Sequence, residues 1–109
     1  MMDADTVRYG IVLVTAASRA EAESIARGLV TAKLAACVSL YPVSSIYRWQ
    51  GDLCQDEEWQ LLIKTALDQF KRVEAKVQEL HSYEVPEIVA LPFVDGSPSY
   101  LAWMGENVG

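Results

Sequence analysis

The chain predicts an α+β fold of the ferredoxin-like kind, in the order β-α-β-β-α-β with a short closing helix and both main helices on one face of a four-stranded antiparallel sheet. Three observations point there. Four β-branched or alternating apolar runs are spaced along the sequence. Helical periodicity separates the first run from the second and the third from the fourth. A Gln50-Gly51-Asp52 turn joins the two middle runs. Right-handed crossovers then place both helices on the same side of the sheet.

The elements follow in order. Val7 to Ala17, "VRYGIVLVTAA", is the first strand. Ser18 reads as an N-cap with Glu21 as its capping-box partner. The helix behind it runs to about Leu34 and sets Ala22, Ile25, Ala26 and Leu29 on one face. Ala35 to Gln50 is the second strand and Leu53 to Ala66 the third. A second helix, from Leu67 or Asp68 to His81, aligns Phe70, Val73, Val77 and Leu80. "PEIVALPFV", from Pro86, is the fourth strand. Ser97 caps the last helix, with Pro98 at its first position.

Composition bounds the function classes. The 109 residues make one domain, 51% hydrophobic and 22% charged, with net charge -6. The basic residues are scattered, and counterion release needs a concentrated basic face, so no nucleic-acid role is expected. No apolar run reaches the length of a membrane helix. Asp3 and Asp5 outweigh Arg8 ahead of the apolar stretch, unlike the basic leader of a secretory signal, and a cytoplasmic location is expected. Cys37 and Cys54 lack the spacing of a zinc site or a disulfide scaffold.

Two features call for a partner. Ile11, Val12, Leu13 and Val14 are consecutive and apolar, so both faces of the first strand need cover. The second strand would span roughly 50 Å if straight, against a radius of gyration of about 13–14 Å for a domain of this size. The hairpin must bend, with Pro42 as a candidate, or reach beyond its own domain. Subunits packed sheet against sheet, with hairpins embracing neighbours, account for both.

The segments "KLAACVSLYPVSSIYRWQGDL", "EWQLLIKT", "HSYEVPEIVALPF" and "YLAWM" together resemble the CutA divalent-cation-tolerance family over about residues 9 to 106. The resemblance implies a compact homotrimer with an architecture like that of PII-type signalling proteins. It also implies an association with copper or other divalent metals, and no accepted enzymatic reaction. A family copper site, carried over by position, falls on Val14, Leu80 and His81, so two of three ligands are missing here, and Ser82 stands where the family has proline.

His81, the only histidine, is therefore the one candidate metal ligand. A lone imidazole holds Cu(II) or another divalent cation weakly at best, no cofactor is required, and a histidine interacting with a helix C-terminus is the favoured reading. Cys37 is an accessory candidate that reads as a small buried hydrophobe. A catalytic thiol would need His81 as its base, and the chain is not expected to be an enzyme. Cys54 reads as exposed. Asp56, Glu57 and Glu58 form an acidic run whose members alternate between faces, with Glu58 at a position that matches the family. Tyr47, Trp49, Lys64, Tyr83, Glu87 and Trp103 match family positions too, and are the candidate lining of a small-molecule cleft between subunits. Lys64 breaks the apolar run "LLIKTA", and Glu87 or a bound anion is expected to meet its ammonium. Pro86 ends the second helix before Val85 and lets the turn present Tyr83 and Glu87.

Overall fold

A computed structural model describes residues 8–109, so Val7, placed in the first strand above, lies outside the described residues. The element order is β1 (Tyr9–Ala16), α1 (Arg19–Thr31), β2 (Cys37–Trp49), β3 (Asp52–Ala66), α2 (Phe70–Leu80, entered through a 3-10 turn at Leu67–Gln69), β4 (Val89–Pro92) and α3 (Pro98–Asn107). The strands lie in the order β2-β3-β1-β4, every neighbouring pair antiparallel. This is the ferredoxin-like arrangement.

The core lies between the sheet and its two helices. Strand alternation sends Val12, Val14, Leu61 and Ile63 to the helix side, where each is fully buried against Ile25 and Leu29 of α1 and Val73 and Val77 of α2. Truncating Ile25, Leu29, Leu61 or Ile63 to alanine is expected to destabilise the fold by about 2–5 kcal/mol. Gly28 has a packing reason: a Cβ there would stand 2.8 Å from Leu80 Cδ1, so the bare backbone lets α1 and α2 close up.

The capping residues act as expected, with one shift. Ser18 Oγ accepts from the Glu21 N–H at 3.1 Å, but Glu21 Oε1 reaches past the cap to the Ala17 N–H. Its other oxygen, Oε2, accepts from the Ser82 N–H at 2.7 Å. One carboxylate thus ties the start of α1 to the loop after α2. Helix α1 stops at Thr31, short of the expected Leu34. Lys33 adopts φ 59°, and the Lys33 and Leu34 N–H groups close on Val30 and Leu29 carbonyls in a Schellman motif.

The β2–β3 hairpin is the longest feature. Gln50 and Gly51 both have positive φ, as a two-residue turn between right-twisted strands requires. The ladder is continuous through Pro42, which pairs with Trp59, so the chain does not break there. Proline is tolerated because β2 is an edge strand. The molecule measures 47 × 28 × 22 Å, with a radius of gyration of 14.8 Å, so the arm reaches out. Strand β1 ends at Ala16 opposite Trp59, and beyond that point Val43–Trp49 and Asp52–Glu58 pair only with each other. Strand β4 is shorter than expected, pairing with β1 only from Gly10 to Leu13.

The sheet face away from α1 and α2 is incompletely covered. Ile11, Leu13 and Leu62 are half-buried, and Val89 and Leu91 beside them are exposed. Helix α3 lies against the Tyr9 end of the sheet and buries Met104 outside the main core cluster.

Candidate functional site

The overshooting arm creates a cleft. Beyond the end of β1, the loop from Ser82 to Glu87 faces the outer half of the hairpin, and the space between them is a cavity of about 680 Å³. The hairpin contributes Tyr47, Trp49 and Glu58, and the loop contributes Tyr83, Glu84 and Glu87. Ser45, Ile46 and Val85 complete the walls, with Thr15 at the end of β1.

Each wall is positioned by an identifiable bond. Strand periodicity puts Tyr47 and Trp49 on the same side of β2. The Tyr47 hydroxyl donates to Asp56 on the facing strand, in a very short hydrogen bond. That bond, with the negative charge of Asp56 behind it, pushes the Tyr47 phenol up to about 12. The Tyr83 hydroxyl donates to Glu58 Oε2 at 2.6 Å. Burial, and then the Glu58 bond, push the Tyr83 phenol further above the ordinary tyrosine value. Asp56 and Glu58 are two residues apart on one strand and so share a face, while Glu57 between them is exposed. The acidic run does not converge as a whole, in line with strand alternation.

His81 holds the loop. Its side chain is 0% exposed. Nε2 lies 2.7 Å from the Thr15 carbonyl and Nδ1 accepts the Tyr83 N–H at 3.0 Å, which assigns a neutral ring with its proton on Nε2. The ring also packs against Tyr83 at 4.7 Å between centroids. As the C-cap of α2, His81 passes only its backbone N–H to Val77; the ring bonds β1 rather than the helix terminus, which corrects the dipole reading. Both ring nitrogens are occupied, so a metal would have to displace a hydrogen bond. Among the described residues, no three His, Cys, Asp or Glu side chains are grouped so as to hold a metal ion.

Within one chain, two expected cleft residues do not line this cavity. Lys64 does not meet Glu87: its Nζ donates to Ser39 Oγ at 2.8 Å and lies 3.9 Å from Cys37 Sγ, at the far end of the sheet. Within one chain the nearest partner on the neighbouring strand is a hydroxyl, which the apolar run gave no reason to favour over a carboxylate or a bound anion. Trp103 lies on α3, stacked at 5.6 Å on Tyr100. Cys37 is half-buried opposite Lys64, and His81 is bonded to Thr15, which faces Gln60, about 13 Å down β3. The two do not form a nucleophile–base pair. Cys54 is half-buried, not exposed, with Sγ 3.9 Å from the Asp52 carbonyl. The sequence reading missed Asp56 as the Tyr47 acceptor, and singled out Glu84 beside Tyr83 without counting it in the cleft lining. Both sat in segments already singled out, and only the reach of a tyrosine across the ladder selects Asp56.

Residues 10–107 match the family model described as CutA1 divalent ion tolerance protein. A divalent-cation tolerance protein CutA from Thermus thermophilus is 48% identical over 91% of this chain and 97% of its own length. The solved structure of the Thermus thermophilus protein superposes with a TM-score of 0.90 at 47% identity, covering 93% of this chain and 99% of that one. A structure of CutA1 from Oryza sativa gives 0.92 at 34% identity, over 95% and 96% of the two chains. A CutA from Archaeoglobus fulgidus, described as periplasmic, gives 0.91 at 37%, over 93% and 99%.

Proposed function

This chain belongs to the CutA1 divalent ion tolerance protein family, and from that membership we propose that it works as a homotrimeric binding or signalling module whose small-molecule site is the cleft between the β2–β3 arm and the Ser82–Glu87 loop. The observation that carries the reading is the convergence of aromatic walls and carboxylates on one concave space of about 680 Å³, the make-up of small-molecule sites generally. The partly bare apolar sheet face supports assembly, since it gives neighbouring subunits a surface to bury. In the trimer the cleft lies at a subunit junction.

Direct copper binding by His81 is the weaker reading. The family name ties the protein to divalent ions, but the ring nitrogens are both bonded, so any Cu(II) is held weakly. Catalysis is not part of the proposal, because Cys37 and His81 stand apart. Two free thiols fit a reducing compartment, and we place the protein in the cytoplasm. In addition, no helix among the described residues is long and apolar enough to cross a membrane.

The test is a thermal-shift and NMR screen of the purified assembly against divalent metals and small metabolites of each charge type, repeated with Trp49→Ala and Glu87→Ala. The reading expects both variants to stay assembled and to lose a response that the parent shows. Failure of every compound to perturb Trp49 or Tyr83 at millimolar concentration overturns it.

A further inference from the structure

We propose that the cleft takes a small organic cation of the ammonium or guanidinium class, an inference that rests on the cleft being the binding site. Charge is the first ground. Among the described residues of one chain, Glu58, Glu84 and Glu87 line the space, and no lysine, arginine or histidine does. Glu58 is the central group: it is 6% exposed, and its hydrogen-bond partner is the neutral Tyr83 hydroxyl at Oε2. Among the described residues, no basic group lies within ion-pair distance of it. Burying a carboxylate without a counter-charge is unfavourable. The basic residues of the arm and of the neighbouring elements are engaged elsewhere. Arg19 pairs with Glu23 and covers Trp59, Arg48 donates to the Gly51 carbonyl, and Lys64 donates to Ser39.

The rings are the second ground. Trp49, Tyr47 and Tyr83 bound the same space, and aromatic faces attract ammonium and guanidinium groups, tryptophan most strongly. Both tyrosines donate their hydroxyls to carboxylates. A phenol that donates to an anion gains electron density on its ring, so each bond makes the ring face a better partner for a cation.

The same geometry disfavours a bare divalent ion. Hard cations need several oxygens converging on one point at short range. One oxygen of Asp56 and one of Glu58 are occupied by tyrosine hydroxyls, and the rest of the wall includes rings and the apolar side chains of Ile46 and Val85. A flat or tetrahedral organic cation uses ring faces and one carboxylate edge together.

The experiment titrates the assembled full-length protein with methylguanidinium and tetramethylammonium, with N-methylurea as the neutral isostere of the first and citrate as an anion. Calorimetry gives affinity, and the Trp49 indole resonance reports the site. Both cations should shift that resonance, more weakly as salt rises. N-methylurea should bind at least about tenfold more weakly, and Glu58→Gln, which still offers Tyr83 an acceptor, should weaken the cations about tenfold. Glu84→Gln combined with Glu87→Gln, both exposed and so safe for folding, should also weaken them and reduce the salt dependence. If citrate or N-methylurea shifts Trp49 as strongly as the cations do, the cation class is overturned while the cleft stands as a binding site. If no compound of any charge shifts Trp49, the binding-site reading falls with it. Disassembly of Glu58→Gln would show that a basic side chain of another copy fills the cleft, which also overturns the proposal.

Discussion

The Tyr83 hydroxyl donates to Glu58 at 2.6 Å and so joins the loop after α2 to the arm of the hairpin, at a point where β1 has already ended. This bond sets the width of the cleft. Removing the donor leaves Glu58, a buried carboxylate, without that partner. Tyr83→Phe is expected to lower stability by about 1–3 kcal/mol. Glu58→Gln keeps an acceptor oxygen and is expected to lower it by less than about 1 kcal/mol. Denaturant unfolding of the two variants checks the order, and a larger loss in Glu58→Gln would refute it.

The phenols of the cleft titrate late. Phenolate absorbance should reveal a Tyr47 component at about 12, absent in Tyr47→Phe. Asp56→Asn should move it back toward the ordinary value near 10. The folded value is raised, so the contribution of the Tyr47–Asp56 bond is fully present below the ordinary tyrosine value. It is lost as pH rises through the folded one. Tyr83 is shifted in the same direction, first by burial and then by Glu58, and follows the same sign. A Tyr47 component unmoved by Asp56→Asn would mean that the bond does not hold in solution.

Acid acts through Glu21. Burial pushes its carboxyl up, but hydrogen bonds from Ser82 and the Ala17 N–H outweigh this, so the folded value lies below the ordinary one. Stability from Glu21 is therefore present above the ordinary carboxylate value and is lost as pH falls through the folded value. Glu21→Gln is expected to flatten the acid side of the stability–pH curve and leave the neutral side shifted by a constant. Exchange of the Ser82 amide in the parent should rise over the same acid range; an unchanged acid limb in the variant counts against this role.

His81 is expected to behave as a joint. His81→Ala removes a bond to Thr15 and an acceptor for the Tyr83 N–H, each worth about 1 kcal/mol and more where a buried partner is left unmatched. The loss should appear as a lower melting temperature and a mobile Ser82–Glu87 loop. Cu(II) calorimetry on the parent should give micromolar affinity at best, because a single imidazole must first release a hydrogen bond. Nanomolar binding would identify a ligand set other than the one assigned here.

Most of the fold was legible, and the parts that were not share a physical cause. The strands and helices announced themselves through periodicity, and the Ser18 and Ser97 caps through residue type, because those signals are local. The end of α1 was misplaced because a lysine, Lys33, takes the left-handed position where a glycine would have marked the stop. The Lys64 bond to Ser39 within the chain was not foreseen, because it depends on which residue faces Lys64 across the β2–β3 ladder, a matter of register. Ser82, Tyr83, Glu84, Val85 and Glu87 of the "HSYEVPEI" loop line the cavity beside the arm. Its link to Asp56 and Glu58 through two tyrosines was not foreseen, since the reach of a ring across strands leaves no trace in spacing.

Assembly is the last expectation. Ile11, Leu13 and Leu62 lie half-buried on the face away from the core helices, and Val89 and Leu91 extend the apolar strip to the edge strand with 49% exposure each. A strip of this kind costs about 25 cal/mol for each Å² left in water, so association that covers it is favoured. Light scattering at micromolar concentration should give three times the 12.1 kDa of one chain. Leu13→Lys places a charge at the centre of the strip while leaving the helix-side core at Val12 and Val14 untouched. It is expected to yield a folded, dissociated chain with native far-ultraviolet circular dichroism and reduced thermal stability. A parent that scatters as a monomer would remove the trimer, and the cleft would then have to work within a single chain. A Leu13→Lys variant that stays fully assembled would show instead that this strip is not the surface that joins the subunits.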